Sequence, residues 1–238
     1  MIKLKDLLLE GTAPDIFVPR RIEGRVERMI MLYVKNGSKG DLDLSKLKLT
    51  ELPEILKDIT VGGSFYCYSN RLTSLEGSPK TVGGSFYCYN NRLTSLDGSP
   101  KTVGGSFGCN NNLLTSLAGV PSSVGEDFDC SNNKLTSLIN APKYFDGTFY
   151  CHYNNLTSLE GAPTNVGISF YCGNNELTSL EFAPTSVGRN FDCSYNELTS
   201  LEFAPKTVGG FFDCRYNPVK FTEKQVRAVC NVKGDVYV

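Results

Sequence analysis

One histidine and nine cysteines are the side chains in this sequence best suited to acid–base, nucleophilic or metal chemistry. The histidine, His152, has no partner motif, because the chain contains no G-x-S-x-G turn, no phosphate-binding loop and no H-E-x-x-H motif. Cys230 has no histidine near it in the sequence and lies on the apolar side of a predicted helix, so core packing explains it better than catalysis. We therefore expect no catalytic residue, no metal site and no cofactor, and a protein that is not an enzyme.

Two aspartates are the remaining candidates for holding a cation. Asp192 and Asp213 are 21 residues apart, and the periodicity described next places them on neighbouring strands. Like charges at opposite positions of a sheet repel each other unless they are countered. A bound cation would counter them, but the nearby Arg215 is a simpler counter-charge.

The cysteines follow a strict period. Eight of them recur every 21 residues, and an asparagine follows each one by three residues. A fixed period of this length indicates a solenoid, in which stacked turns bury an apolar face that no single repeat could bury alone. The cysteines of the period are Cys67, Cys88, Cys109, Cys130, Cys151, Cys172, Cys193 and Cys214, and the asparagines are Asn70, Asn91, Asn112, Asn133, Asn154, Asn175, Asn196 and Asn217.

The order of residues within one period indicates the kind of solenoid. The run Phe86-x-Cys88-x-x-Asn91-x-Leu93-x-x-Leu96 resembles the L-x-L-x-x-N-x-L core of leucine-rich repeats. It departs from the usual pattern by placing Phe and Cys where Leu is commoner, which leaves the inward positions apolar. Phrases such as LTSLEGAP and VGGSFYC also resemble those of uncharacterised repeat proteins of bacteria and their phages. The resemblance implies a leucine-rich-repeat solenoid.

Each repeat is expected to supply one strand and one return segment. In a four-residue strand such as Phe65–Tyr68, successive side chains point to opposite faces of the sheet. Phe and Cys therefore point inward and the tyrosines point outward. The return segment contains Gly77 and Pro79, so an α-helix cannot run through it. Each asparagine is expected to bond backbone groups where the chain leaves the sheet, forming a ladder between turns. The predicted fold is therefore a parallel β-sheet on one face of the solenoid, with non-helical return segments and short capping helices at both ends.

The two ends of the chain depart from the repeat and are expected to cap it. An amphipathic helix is predicted to begin at Arg21 and to end at Asn36, before Gly37. Thr222 and Gln225 have the spacing of a capping box for a second helix, which a final strand follows. The predicted division is 1–40 for an N-terminal arm and capping helix, 41–218 for the array with a degenerate first repeat, and 219–238 for a helix-strand cap.

Charge and cysteine placement limit the partners and the compartment. The chain has 24 basic and 25 acidic residues, so electrostatics give no reason to expect binding to nucleic acid or to an anionic membrane. The cysteines of the period occupy one inward column with parallel Cβ vectors, so we expect free thiols. The apolar run Leu7–Leu9 is too short for a signal peptide or a membrane span. The expected location is a reducing, cytoplasmic compartment or a virion.

The outward positions of the sheet vary between repeats and form a candidate binding surface. A tyrosine-rich face suits protein binding, since tyrosine offers a large area with a polar tip. The alternative is that stacked tyrosines are simply good cross-strand neighbours. The predicted protein-binding residues are Tyr66, Tyr68, Tyr87, Tyr89, Arg71, Arg92, Tyr150, His152, Tyr171, Asp129, Asp192 and Asp213.

These patterns favour a non-enzymatic scaffold that binds a protein partner of unknown identity through the tyrosine-bearing sheet. The alternative is a structural or self-assembling component of a virion or filament. This alternative is suggested by the charge of the residue after each asparagine. That charge changes from positive at Arg71 to negative at Glu197 along the axis, and such a gradient would favour head-to-tail association. A threonine array like that of ice-binding solenoids is a third interpretation, but local hydrogen bonds in the turn explain Thr73-Ser74 and its equivalents more simply.

Overall fold

The computed structural model describes residues 24–143 and 146–238, which form a stack of parallel turns between two short helices. A standard turn contains a strand of the main sheet, a corner at the ladder asparagine, a stretch with two buried leucines, a proline corner and a return strand. The helices are α1 (Arg25–Lys35) and α2 (Glu223–Val229), and the degenerate first repeat adds a 3-10 helix, Glu54–Asp58.

All strands pair in parallel. The main sheet has ten strands in the order β1-β3-β5-β7-β9-β10-β12-β14-β16-β18, which are β1 (Leu42–Asp43), β3 (Phe65–Tyr66), β5 (Phe86–Tyr87), β7 (Phe107–Gly108), β9 (Phe128–Asp129), β10 (Phe149–Tyr150), β12 (Phe170–Tyr171), β14 (Phe191–Asp192), β16 (Phe212–Asp213) and β18 (Val236–Tyr237). The return side has two four-stranded sheets, one of β2 (Thr60–Val61), β4 (Thr81–Val82), β6 (Thr102–Val103) and β8 (Ser123–Val124), the other of β11 (Asn165–Val166), β13 (Ser186–Val187), β15 (Thr207–Val208) and β17 (Asn231–Val232).

The main-sheet strands are two residues long, and the four-residue strand expected at Phe65–Tyr68 is wrong in its length. The backbone bonds nevertheless continue beyond the strand, because the Cys67 N–H donates to Tyr87 O at 2.9 Å and the Ser69 N–H to Tyr89 O at 3.0 Å. The tyrosine side chains therefore still rise from a hydrogen-bonded ladder.

The return segments are extended, as the glycines and prolines require, but the sequence did not predict that they pair with one another. Thr81 lies opposite Thr102 and Val82 opposite Val103, with the valines buried and the threonines exposed. One return sheet ends at β8 and the other begins at β11, and residues 144–145 between them in the sequence lie outside the described residues.

The core consists of columns that repeat from turn to turn. Eight phenylalanines are fully buried, and the centroids of successive rings lie 5.1 to 6.0 Å apart. All nine cysteines are buried and free, as predicted. The phenylalanines are Phe65, Phe86, Phe107, Phe128, Phe149, Phe170, Phe191 and Phe212.

The N-terminal end of the stack is covered by α1. Ile30 and Tyr33 of this helix are buried in the common core, and the Tyr33 hydroxyl donates to Ser38 O at 2.7 Å and accepts from the Gly62 N–H at 3.1 Å. The predicted stop at Asn36 and Gly37 is confirmed, with Gly37 at φ 81°. The expected start at Arg21 and the arm before it lie outside the described residues.

The C-terminal segment extends two sheets at once. Thr222 and Gln225 form the predicted capping box of α2, and the final strand β18 joins the main sheet as predicted. β17, which the sequence did not predict, joins the return sheet. In the part of the chain that the structure describes, neither helix has the length and apolar composition needed to cross a bilayer.

Candidate protein-binding surface

The ladder asparagines fix the position of the sheet face. Each of the eight amide groups donates to a backbone carbonyl of its own turn and to one of the preceding turn. Asn91, for example, bonds Cys67 O and Cys88 O at 3.0 Å, and its Oδ1 accepts from the Leu72 N–H at 3.0 Å. The predicted ladder is confirmed, and it holds successive strands in register.

The residue before each ladder asparagine has a left-handed backbone. Its φ lies between 50° and 59° in all eight turns, which turns its side chain out at the corner of the solenoid. Asparagine tolerates this conformation well and occupies the position in four turns. Tyrosine occupies it in three others, where Tyr195 and Tyr216 stack with ring centroids 4.2 Å apart. The eight residues are Ser69, Asn90, Asn111, Asn132, Tyr153, Asn174, Tyr195 and Tyr216.

Tyr66, Tyr68, Tyr87 and Tyr89, which we call the tyrosine cluster, lie together at the N-terminal end of the sheet face. Tyr66 stacks on Tyr87 with centroids 5.8 Å apart, and Tyr68 stacks on Tyr89 at 4.5 Å. Within each strand the two rings meet edge to face at 6.2 and 6.1 Å. The stacking covers one face of each ring, and all four side chains remain partly exposed.

One lysine lies over a ring of the tyrosine cluster. Lys46, which the sequence did not single out, lies over the Tyr68 ring with its Nζ 5.5 Å from the centroid. Arg71 and Arg92 are exposed and lie beyond the ladder asparagines, on the adjoining face of the solenoid. Burial and the neighbouring Tyr68 and Tyr87 raise the pKa of Tyr89, so its phenol stays protonated and can donate a hydrogen bond.

Gly108 separates the tyrosine cluster from the next group. A Cβ added at Gly108 would lie 2.8 Å from Tyr87 Cδ1, so the Tyr87 ring leans over this glycine. The next strand carries Asp129, whose carboxylate accepts from the Ser131 N–H at 2.9 Å and from its hydroxyl at 2.6 Å. Burial raises the pKa of the Asp129 carboxyl, against the opposing effect of these bonds.

A second aromatic group surrounds His152. Tyr150 stacks on Tyr171 with centroids 5.2 Å apart, and the His152 ring meets these two rings edge to face at 6.0 and 6.5 Å. Among the described residues His152 Nδ1 is buried without a hydrogen-bond partner. Burial lowers the pKa of His152, and the opposing charges of Asp129 and Asp192 do not reverse that effect.

Of the two aspartates at the C-terminal end, Asp213 is countered by the side chain that the sequence indicated. Asp213 is almost fully buried and forms an ion pair with Arg215, whose Nε donates to Asp213 Oδ1 at 3.0 Å. Arg215 also packs over the Tyr237 ring, 4.9 Å from its centroid. Asp192 Oδ1 instead accepts from the Ser194 N–H at 2.9 Å.

Apart from Arg71, Arg92 and Asp129, the expected site residues thus fall into three groups along the sheet face. These are the tyrosine cluster, the group around His152 and the acidic pair at Asp192 and Asp213. Sequence reasoning did not single out the stacked corner tyrosines Tyr195 and Tyr216, although the same step of 21 residues places them in one column.

The described residues offer little for cofactor or metal chemistry. They contain no group of three or more His, Cys, Asp or Glu side chains that could hold a metal ion. Burial raises the pKa of the column thiols well above that of an exposed cysteine, and this disfavours the reactive thiolate. The tyrosine cluster supplies hydrogen bonding and aromatic contact.

Comparison with solved structures identifies the fold. The leucine-rich-repeat domain of a Shigella effector aligns with 91% of this chain and 92% of its own length, with a TM-score of 0.56 and 17% identity. The leucine-rich-repeat domain of APL1B aligns with 83% of this chain at a TM-score of 0.57 and 18% identity, and this chain spans 61% of its length. No protein-family model and no curated protein matches the chain. At these identities the likeness is one of fold.

Proposed function

We propose that this leucine-rich-repeat solenoid is a non-enzymatic scaffold that binds a protein partner through the tyrosine cluster on its parallel sheet. Solenoids present extended surfaces of this kind for binding. The partner would be a protein with hydrogen-bond acceptors for the tyrosine hydroxyls and apolar side chains for the ring edges.

The observation that supports this proposal most directly is the packing of the tyrosine cluster. The four rings stack and meet edge to face while remaining partly exposed. Each ring is held by its neighbours before a partner arrives, so binding costs little side-chain entropy. Aromatic side chains in such arrangements are common hot spots of protein interfaces.

Capture of partners by the purified chain and by a double variant tests the proposal. Tyr87→Ala with Tyr89→Ala removes half of the cluster, and we expect the protein captured by the wild type to be lost. Tyr195→Ala with Tyr216→Ala is the matched control, since it removes another stacked tyrosine pair that lies at the corner of the solenoid. Retention of the partner by the first variant, or its equal loss in both, would refute the proposal.

A second candidate function is self-assembly, which rests on the charge column after the ladder asparagines. Lys48 and Arg71 are exposed at one end of this column, and Glu176 and Glu197 at the other. Head-to-tail association through these charges would weaken as salt screens them. Light scattering against salt concentration separates the two functions, because a monomer at low salt would leave only the binding scaffold.

A further inference from the structure

Two exposed phenylalanines occupy a corner of the solenoid that glycine occupies in most other turns. Phe182 and Phe203 lie two residues before the prolines of successive turns, with 54% and 56% of their surfaces exposed. Their φ angles are 66° and 64°. The equivalent residues in the other turns are Gly77, Gly98, Gly119, Asn140 and Gly161, all with positive φ.

Phenylalanine is poorly suited to this position on structural grounds. The left-handed backbone brings Cβ close to the following carbonyl and is unfavourable for a bulky residue. The exposed rings of Phe182 and Phe203 offset none of this by burial in the core. A strained, exposed apolar residue at this corner points to a role in contact with another molecule.

The charges beside the two rings indicate the chemistry of that molecule. Glu181 and Glu202 directly precede the phenylalanines, and Glu176 and Glu197 are exposed on the same two turns. The segments 174–182 and 195–203 contain these four glutamates and no Lys or Arg. Among the described residues none of the four carboxylates takes part in an ion pair. We call these six exposed side chains of two successive turns the acidic corner; two are apolar and four are negatively charged.

Two other occupants fit this surface less well. A second copy packed antiparallel about the middle of the array would bring Glu76 of one copy opposite Glu181 of the other, and like charges repel. An anionic membrane would be repelled by all four glutamates. We propose that the acidic corner binds a basic protein segment in which Lys or Arg alternates with apolar side chains. This site is on a different face from the tyrosine cluster and does not depend on it.

Short synthetic peptides test the proposal on the full chain. The probes are a Lys–Leu alternating peptide, a Lys–Ser peptide of equal charge, and a Glu–Leu peptide. We expect the Lys–Leu peptide to bind at least about tenfold more tightly than the Lys–Ser peptide, because only the first can cover the rings. We also expect the Glu–Leu peptide not to bind, and Lys–Leu affinity to fall as salt rises.

Variants of the corner separate the ring contribution from the charge contribution. Phe182→Gly with Phe203→Gly should abolish the preference for Lys–Leu over Lys–Ser without lowering the melting temperature, since glycine suits the backbone. Asn140→Gly, at the same position of an earlier turn, is the matched control and should bind as the wild type does. Glu176→Gln with Glu197→Gln leaves the corner backbone intact and should weaken binding of both lysine peptides.

Several results would overturn the proposal. These are undiminished Lys–Leu preference in the phenylalanine double variant, equal loss of that preference in Asn140→Gly, and unchanged lysine-peptide binding in the glutamate variant. A wild-type dimer that dissociates in the phenylalanine variant would assign the corner to a second copy. If the phenylalanine variant melts at a lower temperature than the wild type, lysine-peptide binding by the glutamate variant alone tests the proposal.

Discussion

Each ladder asparagine serves two turns at once, and this explains why one residue type recurs in every repeat. Asn133 donates to Cys109 O of the preceding turn and to Cys130 O of its own, both at 3.1 Å, and accepts from the Leu114 N–H at 3.0 Å. Aspartate has no donor for the carbonyls, and leucine could bond neither side. The ladder therefore depends on a side chain that carries a donor and an acceptor together.

Removing one ladder asparagine should destabilise the array. We expect Asn133→Ala to lower the free energy of unfolding by about 1 to 3 kcal/mol, because it leaves buried backbone groups unpaired. The measurement is chemical denaturation of wild type and variant. Asn132→Gly is the control, since Asn132 is exposed with φ 52°, and it should change stability by less than about 0.5 kcal/mol. Equal losses in the two variants would contradict the assigned role.

His152 should make stability depend on pH. Burial lowers its pKa in the folded chain, so below about pH 6.5 the unfolded chain holds more protons at this residue than the folded chain. The free energy of unfolding of the wild type should therefore fall, relative to His152→Gln, as the pH drops from about 7.5 toward the lowered pKa.

NMR titration of the His152 ring checks this prediction directly. The charged or titratable groups that act on the ring are Asp129 and Asp192, and the ring packs against Tyr150, Tyr153 and Tyr171. A titration midpoint below about pH 6.5 would show that burial is the dominant effect on the pKa of His152. A midpoint above that value would show that the aspartate charges outweigh burial.

At the scale of the element, the inward columns explain the chemistry of the thiols. The column cysteines lie between phenylalanines and leucines and are shielded from water. Several of their thiol groups donate weakly to carbonyls of the next turn, for example Cys172 Sγ to Asp192 O at 3.2 Å. Burial favours the neutral thiol over the thiolate, so the column packs as a small apolar surface.

Thiol labelling should reveal this protection and its weakest point. None of the nine cysteines should react rapidly in the folded chain at neutral pH, and all nine should react in denaturant. As the pH rises, Cys230 should be labelled first, because burial raises its pKa to about 11, whereas the pKa of Cys214 is raised to about 12. Mass spectrometry identifies the order, and early labelling of Cys130 would contradict it.

The proline corner gives a prediction of increased stability. Replacing Phe203 by glycine should remove a left-handed penalty of about 1 to 2 kcal/mol and add an entropy cost of about 0.5 to 1 kcal/mol in the unfolded chain. We expect Phe203→Gly to raise the free energy of unfolding by about 0 to 1.5 kcal/mol. Denaturant melts measure the change. A marked loss of stability would mean that the Phe203 ring supports the fold.

The sequence predicted features whose residue types fit only one structural role. It did not predict features whose residue types fit several roles. The step of 21 residues predicted the phenylalanine, cysteine and asparagine columns. An asparagine that recurs at an inward position of every repeat has few structural roles other than a hydrogen-bonded ladder. The sequence did not predict the left-handed backbone at Tyr195 or at Phe182, because neither residue type favours that conformation. It also did not predict pairing of the return strands, since Thr81–Val82 is too short to show a period.

At the scale of the whole molecule, the solenoid is held together by contacts between adjacent turns. Each turn contacts the turns before and after it through the two kinds of sheet and through the ladder. Such an array leaves its outward residues free to vary without loss of the fold. The placement of the surface groups along the axis could be predicted from the sequence, but the contacts between them, such as Lys46 with Tyr68, depend on rotamers and could not.

The central claim, that the tyrosine cluster binds the partner, is tested most directly by hydroxyl-radical footprinting of the chain alone and in complex with a captured partner. Oxidation of individual tyrosines, read by mass spectrometry, reports exposure at the side chains themselves. We predict strong protection of Tyr66, Tyr68, Tyr87 and Tyr89 in the complex, with Tyr153, Tyr195 and Tyr216 oxidised as in the chain alone. Unchanged oxidation of the cluster, with protection at the corner tyrosines instead, would contradict it.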